Sequence, residues 1–317
     1  MAAPRSRSSS PRPPGVYVLF ENEDWLSAYR SAVGYSVEWN LNRISPHLGS
    51  TAPAGIFVNR MSASYVSRGH KLALHRAIAV VQWLEACDRR VINGSKAMSL
   101  ELSKLNQYAC LRAAGFPVPK TIPIFEAADI EDKMPLLESL RYPVVLKPNC
   151  GGKGLNVTQC DTFDVLKKAV KKYKFDKAAD PVLLCQEYIR SKDPFIRRYE
   201  LIGDQCIYTL RVNNQSGFEL CPADACDAKG RDKGMLFEID TEFENPELVE
   251  NFVQFKKKHA IDVCSFETIE DARGTVFVYD INVNTNYSTA AEQVAGVAPG
   301  NKALGEFIRA EFDKICV

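Results

Sequence analysis

Apolar and polar positions alternate in short blocks along this chain, and longer blocks with helical spacing lie between them. Gly15 to Phe20 (GVYVLF) reads as a first core strand, with the polar, acidic ENED at its C-terminal end. Ile56 to Asn59 (IFVN) reads as another strand, ending in Arg60. The stretch from about His70 to Ala86 is apolar but interrupted by His75, Arg76 and Gln82, the mark of an amphipathic helix. A short strand around Val91–Ile92 follows. Strands alternating with helices predict a small parallel α/β unit. It carries no G-x-G-x-x-G, so no dinucleotide site is expected there. Clefts form at the carboxyl ends of strands in such sheets, which makes Glu21, Asn22 and Arg60 candidate contacts to an acceptor substrate. Plain loop-surface positions are the competing reading.

Asn93–Gly94 is a turn, and Ser99 to Ala114 predicts a helix ended by Gly115. TIPIF is strand-like, Ala127–Leu140 returns to helix, and Val165 to Tyr173 is a helix whose four lysines form a solvated face. Leu183 to Ile189 (LLCQEYI) is a strand leading into a polar bend. Tyr199–Ile202 and Gln205–Val212, separated by Gly203–Asp204, have the pattern of a β-hairpin. Leu248 to His259 is helical, Val276 to Val283 is strand, and a closing helix runs from about Lys302 to Phe312. Residues 1–14, rich in Ser, Pro and Arg, have almost nothing to bury and predict a disordered tail.

Composition narrows the class. A chain of 317 residues predicts two or three packed units, and 46% hydrophobic with 25% charged residues is ordinary for a soluble globular protein. A formal net charge of +1 argues for neither nucleic acid nor membrane as the main partner. No apolar run reaches the roughly 18 residues that span a bilayer, and no apolar region follows the basic start as in a signal peptide. The 10 cysteines form no C-x-x-C, and the closest pair, Cys221 and Cys226, lacks the further ligands a zinc site needs. Reduced cysteines and a cytoplasmic location are expected.

Candidate chemistry begins at YPVVLKPNCGGKG, residues 142–154. Val144 to Leu146 suit a buried strand, and Lys147 falls at its end, where a charge is costly to bury unless an anion meets it. Asn149, Gly151, Gly152 and Gly154 then form a flexible loop whose bare amides can close over phosphates, with Lys153 adding charge. Glycine-rich turns after strands are common, so this stretch alone is a weak signal. Later, Glu267 closes the strand-like VCSFE, and Asp280 and Asn282, two apart on a strand, share a face. Two carboxylates and an amide offer hard oxygen ligands for Mg2+ beside phosphates. A polar strand face with surface acids is the alternative.

Taken in order, these pieces resemble the ATP-grasp superfamily, and in particular its ribosomal-protein-modifying glutamate ligase branch of carboxylate–amine ligases. The resemblance spans about residues 55–310, through FVNR, LELSKLNQYACLRAAGFPVPKT, YPVVLKPNCGGKG, LLCQEYI, IRRYELIGDQ and FETIEDARGTVFVYDINVNTNY. It implies an α/β ATP-grasp fold, with a small N-terminal parallel α/β domain at 15–95 and the ATP-grasp domain at 96–317. The latter divides into a central and lid part, 96–182, and a nucleotide- and metal-binding part, 183–317. By the same resemblance, Lys104 and Lys147 contact the α- and β-phosphates of ATP, and the Asn149–Gly154 loop is the lid. Glu187, Tyr188 and Ile189 read adenine, and Asp193 is the nearest acid for the ribose. Glu267, Asp280 and Asn282 hold Mg2+, with two ions expected and Mn2+ able to substitute. Arg211 steadies the transferring phosphoryl group, and Arg197 holds the substrate carboxylate.

The activity so implied is ATP-dependent amide formation through an acyl phosphate, releasing ADP and phosphate. The expected partners are small-molecule carboxylate and amine substrates, and a homo-oligomer is compatible with the chain. The substrate-selecting run after Arg211, FELCPADACDAKGRDKG, is acidic and cysteine-containing, unlike the basic run of the ribosomal-protein branch. A free amino acid, a small peptide or a protein tail therefore all remain open. An ATP-grasp-type kinase shares the nucleotide machinery, and a non-catalytic nucleotide-binding module is disfavoured because the lysines, Arg211 and the metal set are all present.

Overall fold

A computed structural model describes residues 13–34, 36–45, 51–152, 154–176, 178, 180–213 and 236–316. The first sheet is parallel, in the order β2-β1-β3-β4, from strands β1 (Gly15–Phe20), β2 (Val37–Asn40), β3 (Gly55–Arg60) and β4 (Arg90–Ile92). Its strands are apolar on both faces, as a doubly covered parallel sheet requires. Val18, Phe20, Ile56 and Val58 face Leu26 and Tyr29 together with Leu304 and Ile308 of the helix Gly300–Asp313. Tyr17, Leu19 and Phe57 pack on Ala73, Ala77, Val80, Val81 and Leu84 of the helix Lys71–Ala86. The helices Leu26–Val33 and Gly300–Asp313 touch closely at Gly305, where a Cβ would lie 2.2 Å from the Ala32 carbonyl oxygen.

The second sheet is antiparallel, in the order β5-β8-β6-β7: β5 (Thr121–Ile124), β6 (Val144–Pro148), β7 (Thr158–Cys160) and β8 (Leu183–Glu187). Leu166 and Val170 of the helix Phe163–Lys172 cover one face, leaving Lys168, Lys171 and Lys172 in solvent. Two expected helices divide. Ala127–Leu140 becomes Asp129–Asp132 and Met134–Glu138, because Pro135 has no N–H to continue the ladder. Ser99–Ala114 becomes Ser95–Glu101 and Lys104–Ala113, separated where Ser103 caps the second helix by accepting from the Asn106 N–H at 3.2 Å.

The third sheet, in the order β11-β10-β9-β12-β13, is also antiparallel: β9 (Phe195–Ile202), β10 (Gln205–Asn213), β11 (Phe237–Ile239), β12 (Val263–Glu270) and β13 (Val276–Asn282). Gly203–Asp204 makes the expected hairpin turn. Phe252 of the helix Pro246–Lys258 stacks on Phe266 at 4.1 Å between ring centroids, and Phe255 meets the same ring edge-on. The described cysteines are all unpaired, whereas Cys221 and Cys226, like the substrate-selecting run and residues 1–12, lie outside the described residues. Among the described residues no helix is long and apolar enough to cross a membrane.

The first and third sheets are pinned together by Asn93, which follows β4 in a left-handed conformation (φ 53°) that asparagine tolerates. Its Oδ1 accepts from the Asp262 and Val263 N–H groups at 2.9 and 3.1 Å, and its Nδ2 donates to the Val263 and Val283 carbonyls at 2.8 and 2.7 Å. Arg90 adds charge-assisted bonds to Asp262 and Glu311. Replacing Asn93 by Ala leaves four buried backbone groups without partners. A loss of stability on the order of 3–5 kcal/mol is expected, read as a lowered urea midpoint; an unchanged midpoint would show that the pin carries nothing.

Candidate active site

The second and third sheets face each other across a cavity of about 400 Å³, and the loops after β3 and β13 close one end. Along β6, the extended backbone sends Val145 and Lys147 to the same side, and both line the cavity. Lys147 is 8% exposed, and no carboxylate among the described residues pairs with it. Its Nζ donates to the Tyr108 hydroxyl at 2.7 Å, and that hydroxyl donates to the Tyr279 carbonyl at 2.7 Å. A buried ammonium held only by neutral dipoles is a natural seat for an anion.

Asn149 binds the start of the glycine loop to the helix that carries Lys104. Its Oδ1 accepts from the Leu105 N–H and the Ser103 hydroxyl, and its backbone carbonyl accepts from the Lys104 N–H at 3.1 Å. Gly151, Gly152 and Gly154 line the cavity, and Lys153 lies outside the described residues. Gly152 passes so close to Ser64 that a Cβ would come 3.2 Å from the serine Cβ, so only a glycine lets the loop settle there without displacement.

Glu267, Asp280 and Asn282 meet on the opposite wall. Glu267 is the cross-strand partner of Asp280, and a register shift at Glu267/Thr268 leaves Tyr279 as an extra residue in β13. The Tyr279 hydroxyl donates to Glu267 Oε2 at 2.7 Å, and Asn282 Nδ2 donates to Glu267 Oε1 at 3.0 Å. Burial beside Glu267 holds the Tyr279 phenol well above its ordinary pKa, so it stays a donor. Asp280 pairs with Lys104. Burial works against the Lys104 ammonium, but the Asp280 carboxylate, with Tyr108 and Glu267 beyond it, outweighs burial and raises its pKa. Since Asn282 spends its N–H on Glu267, its Oδ1 is directed away. Two carboxylates and an amide thus share this wall of the cavity, donor types that fit Mg2+. Among the described residues no group of three or more His, Cys, Asp or Glu is placed to hold a metal ion.

At the end of β8, Glu187, Tyr188 and Ile189 line the cavity, whereas Asp193 is not among its walls. Arg197 and Arg211 are cross-strand partners on the opposite face of the third sheet. Both bind Asp240 Oδ2, at 2.5 and 2.8 Å, and Arg197 lies over the Phe243 ring at 3.6 Å. Burial would raise the Asp240 pKa, but the two guanidiniums reverse that and lower it. The arginine on the cavity face is instead Arg198, which pairs with Glu200 at 2.6 Å and reaches Glu267 at 3.5 Å. Period-two alternation explains the exchange: Ile196, Arg198 and Glu200 share one face, while Arg197 and Tyr199 share the other. The buried, charged i, i+2 pair Arg198–Glu200 within IRRYEL was the signal available in the sequence. Glu200 is fully buried, which raises its pKa even though Arg198 and Thr285 bind it.

Of the three residues expected at the strand ends of the first sheet, none lines the cavity directly. Glu21 is buried against Arg68 and His70, Asn22 caps the short helix Glu23–Trp25 by accepting from the Asp24 N–H, and Arg60 is buried beneath the loop at 284–286. Their neighbours Trp25, Ser62, Ser64, Asn284 and Asn286 form that end of the wall. Glu101, not singled out in the sequence, joins two of these loops by accepting from the Ala63 and Val283 N–H groups at 2.9 and 2.8 Å.

Residues 102–296 match the RimK-like ATP-grasp domain. The α-aminoadipate–LysW ligase LysX of Sulfurisphaera tokodaii is 28% identical over 142 residues, covering 44% of this chain and 49% of that protein, so the match spans about half the length of this curated relative. Among solved structures, the ATP-grasp ligase PsnB, complexed with a minimal precursor, superposes with a TM-score of 0.65 at 16% identity, over 94% of this chain and 99% of that one. The D-cycloserine synthetase DcsG gives 0.63 at 15% identity, over 95% and 100%. The structural likeness extends the fold across nearly the whole chain, and the sequence match covers the segment that carries both lysines together with Glu267, Asp280 and Asn282. This chain belongs to the RimK-like ATP-grasp domain family.

Proposed function

We propose that this protein is an ATP-dependent carboxylate–amine ligase that makes an amide through an acyl phosphate and releases ADP and phosphate. The observation that carries the reading is the meeting, in one cavity, of the buried Lys147 and the partly buried, Asp280-paired Lys104 with the side chains of Glu267, Asp280 and Asn282. In this role Lys147 and Lys104 receive the phosphates of ATP, the loop at Gly151–Gly154 covers them, and Glu187–Ile189 border the adenine. Glu267, Asp280 and Asn282 hold Mg2+, in two ions, with Mn2+ able to substitute. The metal supplies charge compensation for the phosphates.

A carboxylate is a poor acylating agent, and transfer of the γ-phosphoryl group makes it a mixed anhydride. An amine then attacks the acyl carbon, phosphate leaves, and no side-chain nucleophile is required. Arg198, which lines the cavity beside Glu267, takes the role of steadying charge at the phosphoryl and tetrahedral centres. Arg197 and Arg211, locked to Asp240 on the other face, organise the sheet. Exclusion of water protects the acyl phosphate from hydrolysis. The substrates fall in the range of an amino acid or small peptide, which agrees with a relative named for ligating α-aminoadipate and a structural neighbour solved with a precursor peptide and AMPPNP.

The reading is tested by ADP release with MgATP and pools of amino acids, singly and in pairs. ADP formation that needs a particular pair, with a product mass equal to their condensation, is the expected result; ADP without condensation would assign a kinase instead. Asp280→Asn is expected to lower turnover at least roughly 100-fold by removing a metal ligand, and near-normal turnover would remove that assignment. Lys147→Ala is expected to weaken ATP binding roughly 10- to 100-fold, measured by calorimetry, and unchanged affinity would count against its phosphate role. Arg198→Met should lower kcat on the order of 100-fold, whereas Arg211→Met should act mainly on the melting temperature; the reverse pattern would return catalysis to Arg211.

A further inference from the structure

Arg60 is 5% exposed at the N-terminal wall of the cavity, and its head group meets only neutral groups. Nη1 donates to the Thr285 carbonyl at 3.2 Å and to Asn284 Oδ1 at 3.5 Å, and Nη2 donates to Asn286 Oδ1 at 3.0 Å. The rings of Tyr29 and Trp25 lie 4.7 and 5.6 Å from its guanidinium carbon. Its Nε is buried without a partner. The adjacent carboxylate, Glu21, is already taken by Arg68 and His70. A buried guanidinium with no carboxylate among the described residues is expensive, and dipoles offset only part of that expense.

The surrounding groups carry this positive charge to the cavity. A guanidinium has no acceptor, so the Asn286 oxygen must face Arg60 and the amide nitrogen must face away. Asn286 lines the cavity, and its nitrogen has no partner among the described residues. Beside it, Ser62 and Ser64 hydroxyls lie 2.9 Å apart, and Arg68 donates to the Ser64 oxygen at 3.0 Å. One hydroxyl proton serves the serine pair, whichever residue donates it, and the other is left for the cavity that both serines line. Trp25 adds an apolar ring at the same end, with the Arg68 guanidinium 4.8 Å from its centroid. The wall is therefore rich in donors and partly aromatic, with the Arg60 charge behind it and the Glu101 carboxylate beside it already accepting from the Ala63 and Val283 N–H groups.

We infer that this wall is a subsite for a non-reacting carboxylate, and that the amine substrate is an amino acid whose own carboxylate docks against Asn286 and the Ser62–Ser64 pair. Arg60 is the positioning residue behind them. Assigning the docked molecule as the amine partner rests on the ligase reading; the preference for a carboxylate does not. The acid to be phosphorylated belongs instead at the far wall, near Lys104, Lys147 and Asp280.

Calorimetry of the full chain with MgADP, titrating each of the twenty L-amino acids and its α-carboxamide, tests the subsite. At least one amino acid is expected to bind at least tenfold more tightly than its carboxamide. Asn286→Asp supplies Arg60 with a counter-ion of the same shape. It should raise the melting temperature and weaken the bound amino acid at least tenfold, with ADP affinity unchanged, and Arg60→Gln should abolish the preference for acid over amide. Equal affinity for acid and amide, binding of no amino acid, or an Asn286→Asp protein that is stabilised but binds as before would each overturn the subsite. ADP release without condensation would overturn the ligase reading alone, since the acid-to-amide ratio is read without turnover.

Discussion

The site exists only where three sheets meet, and that meeting depends on a few buried polar side chains that take the place of backbone partners. Asn93 gives all of its side-chain hydrogen bonds to the edges of the third sheet, and Glu101 ties the loop after β3 to the end of β13. Gln107 acts in the same way, donating to the Leu100 and Ile281 carbonyls and accepting from the Ile281 N–H. Apolar packing alone would let the sheets slide, because it is non-directional. These bonds fix direction and register, so the carboxylates of β12 and β13 come opposite the lysines of another unit. Burial raises the Glu101 pKa, two backbone N–H bonds oppose that, and Asp280 nearby adds to the rise.

Within that frame the charges divide by wall. The two carboxylates already have cations beside them, Lys104 at Asp280 and Arg198 near Glu267. Lys147 and Arg60 are the opposite case, buried cations held by hydroxyl, carbonyl or amide oxygens. Preorganised dipoles of this sort cost little to rearrange when an anion arrives, which is why they serve binding better than a mobile surface charge. The two uncompensated cations come from different sheets, and that separation gives the cavity two ends of distinct chemistry.

Much of this was legible in the sequence, for identifiable reasons. The core strands β1, β3, β6 and β8 announce themselves by β-branched and apolar runs, and Lys147 stands out because a charge closes such a run. β2 escaped notice because VEWN is short, half-buried and polar at Glu38, which pairs with Arg30. Helix breaks at Ser103 and Pro135 were visible as residues but not as breaks, since the flanking apolar pattern continues across them. Arg198 differs from its neighbour Arg197 only in strand phase, and adjacent arginines can be separated only by knowing which neighbours face the core. Trp25 ends a three-residue helix and Ser62, Ser64 and Asn286 lie in irregular loops, where periodicity carries no information and tertiary placement decides everything.

The Lys104–Asp280 pair has a consequence for how a nucleotide enters. Both groups are largely buried, and removing one partner from such a pair leaves a charge whose isolation typically costs 3–5 kcal/mol. A metal ion alone would free Asp280 at the expense of stranding the Lys104 ammonium, and metal-free ATP would satisfy Lys104 while stranding the carboxylate. Under the proposed function, the magnesium complex of ATP would bring a cation for Asp280 and a phosphate for Lys104 together, so neither charge would be left unpaired in a dry environment. Under the same reading, the intact Lys104–Asp280 pair and the MgATP-filled cleft are thus the two electrostatically balanced arrangements, with the half-filled forms disfavoured between them.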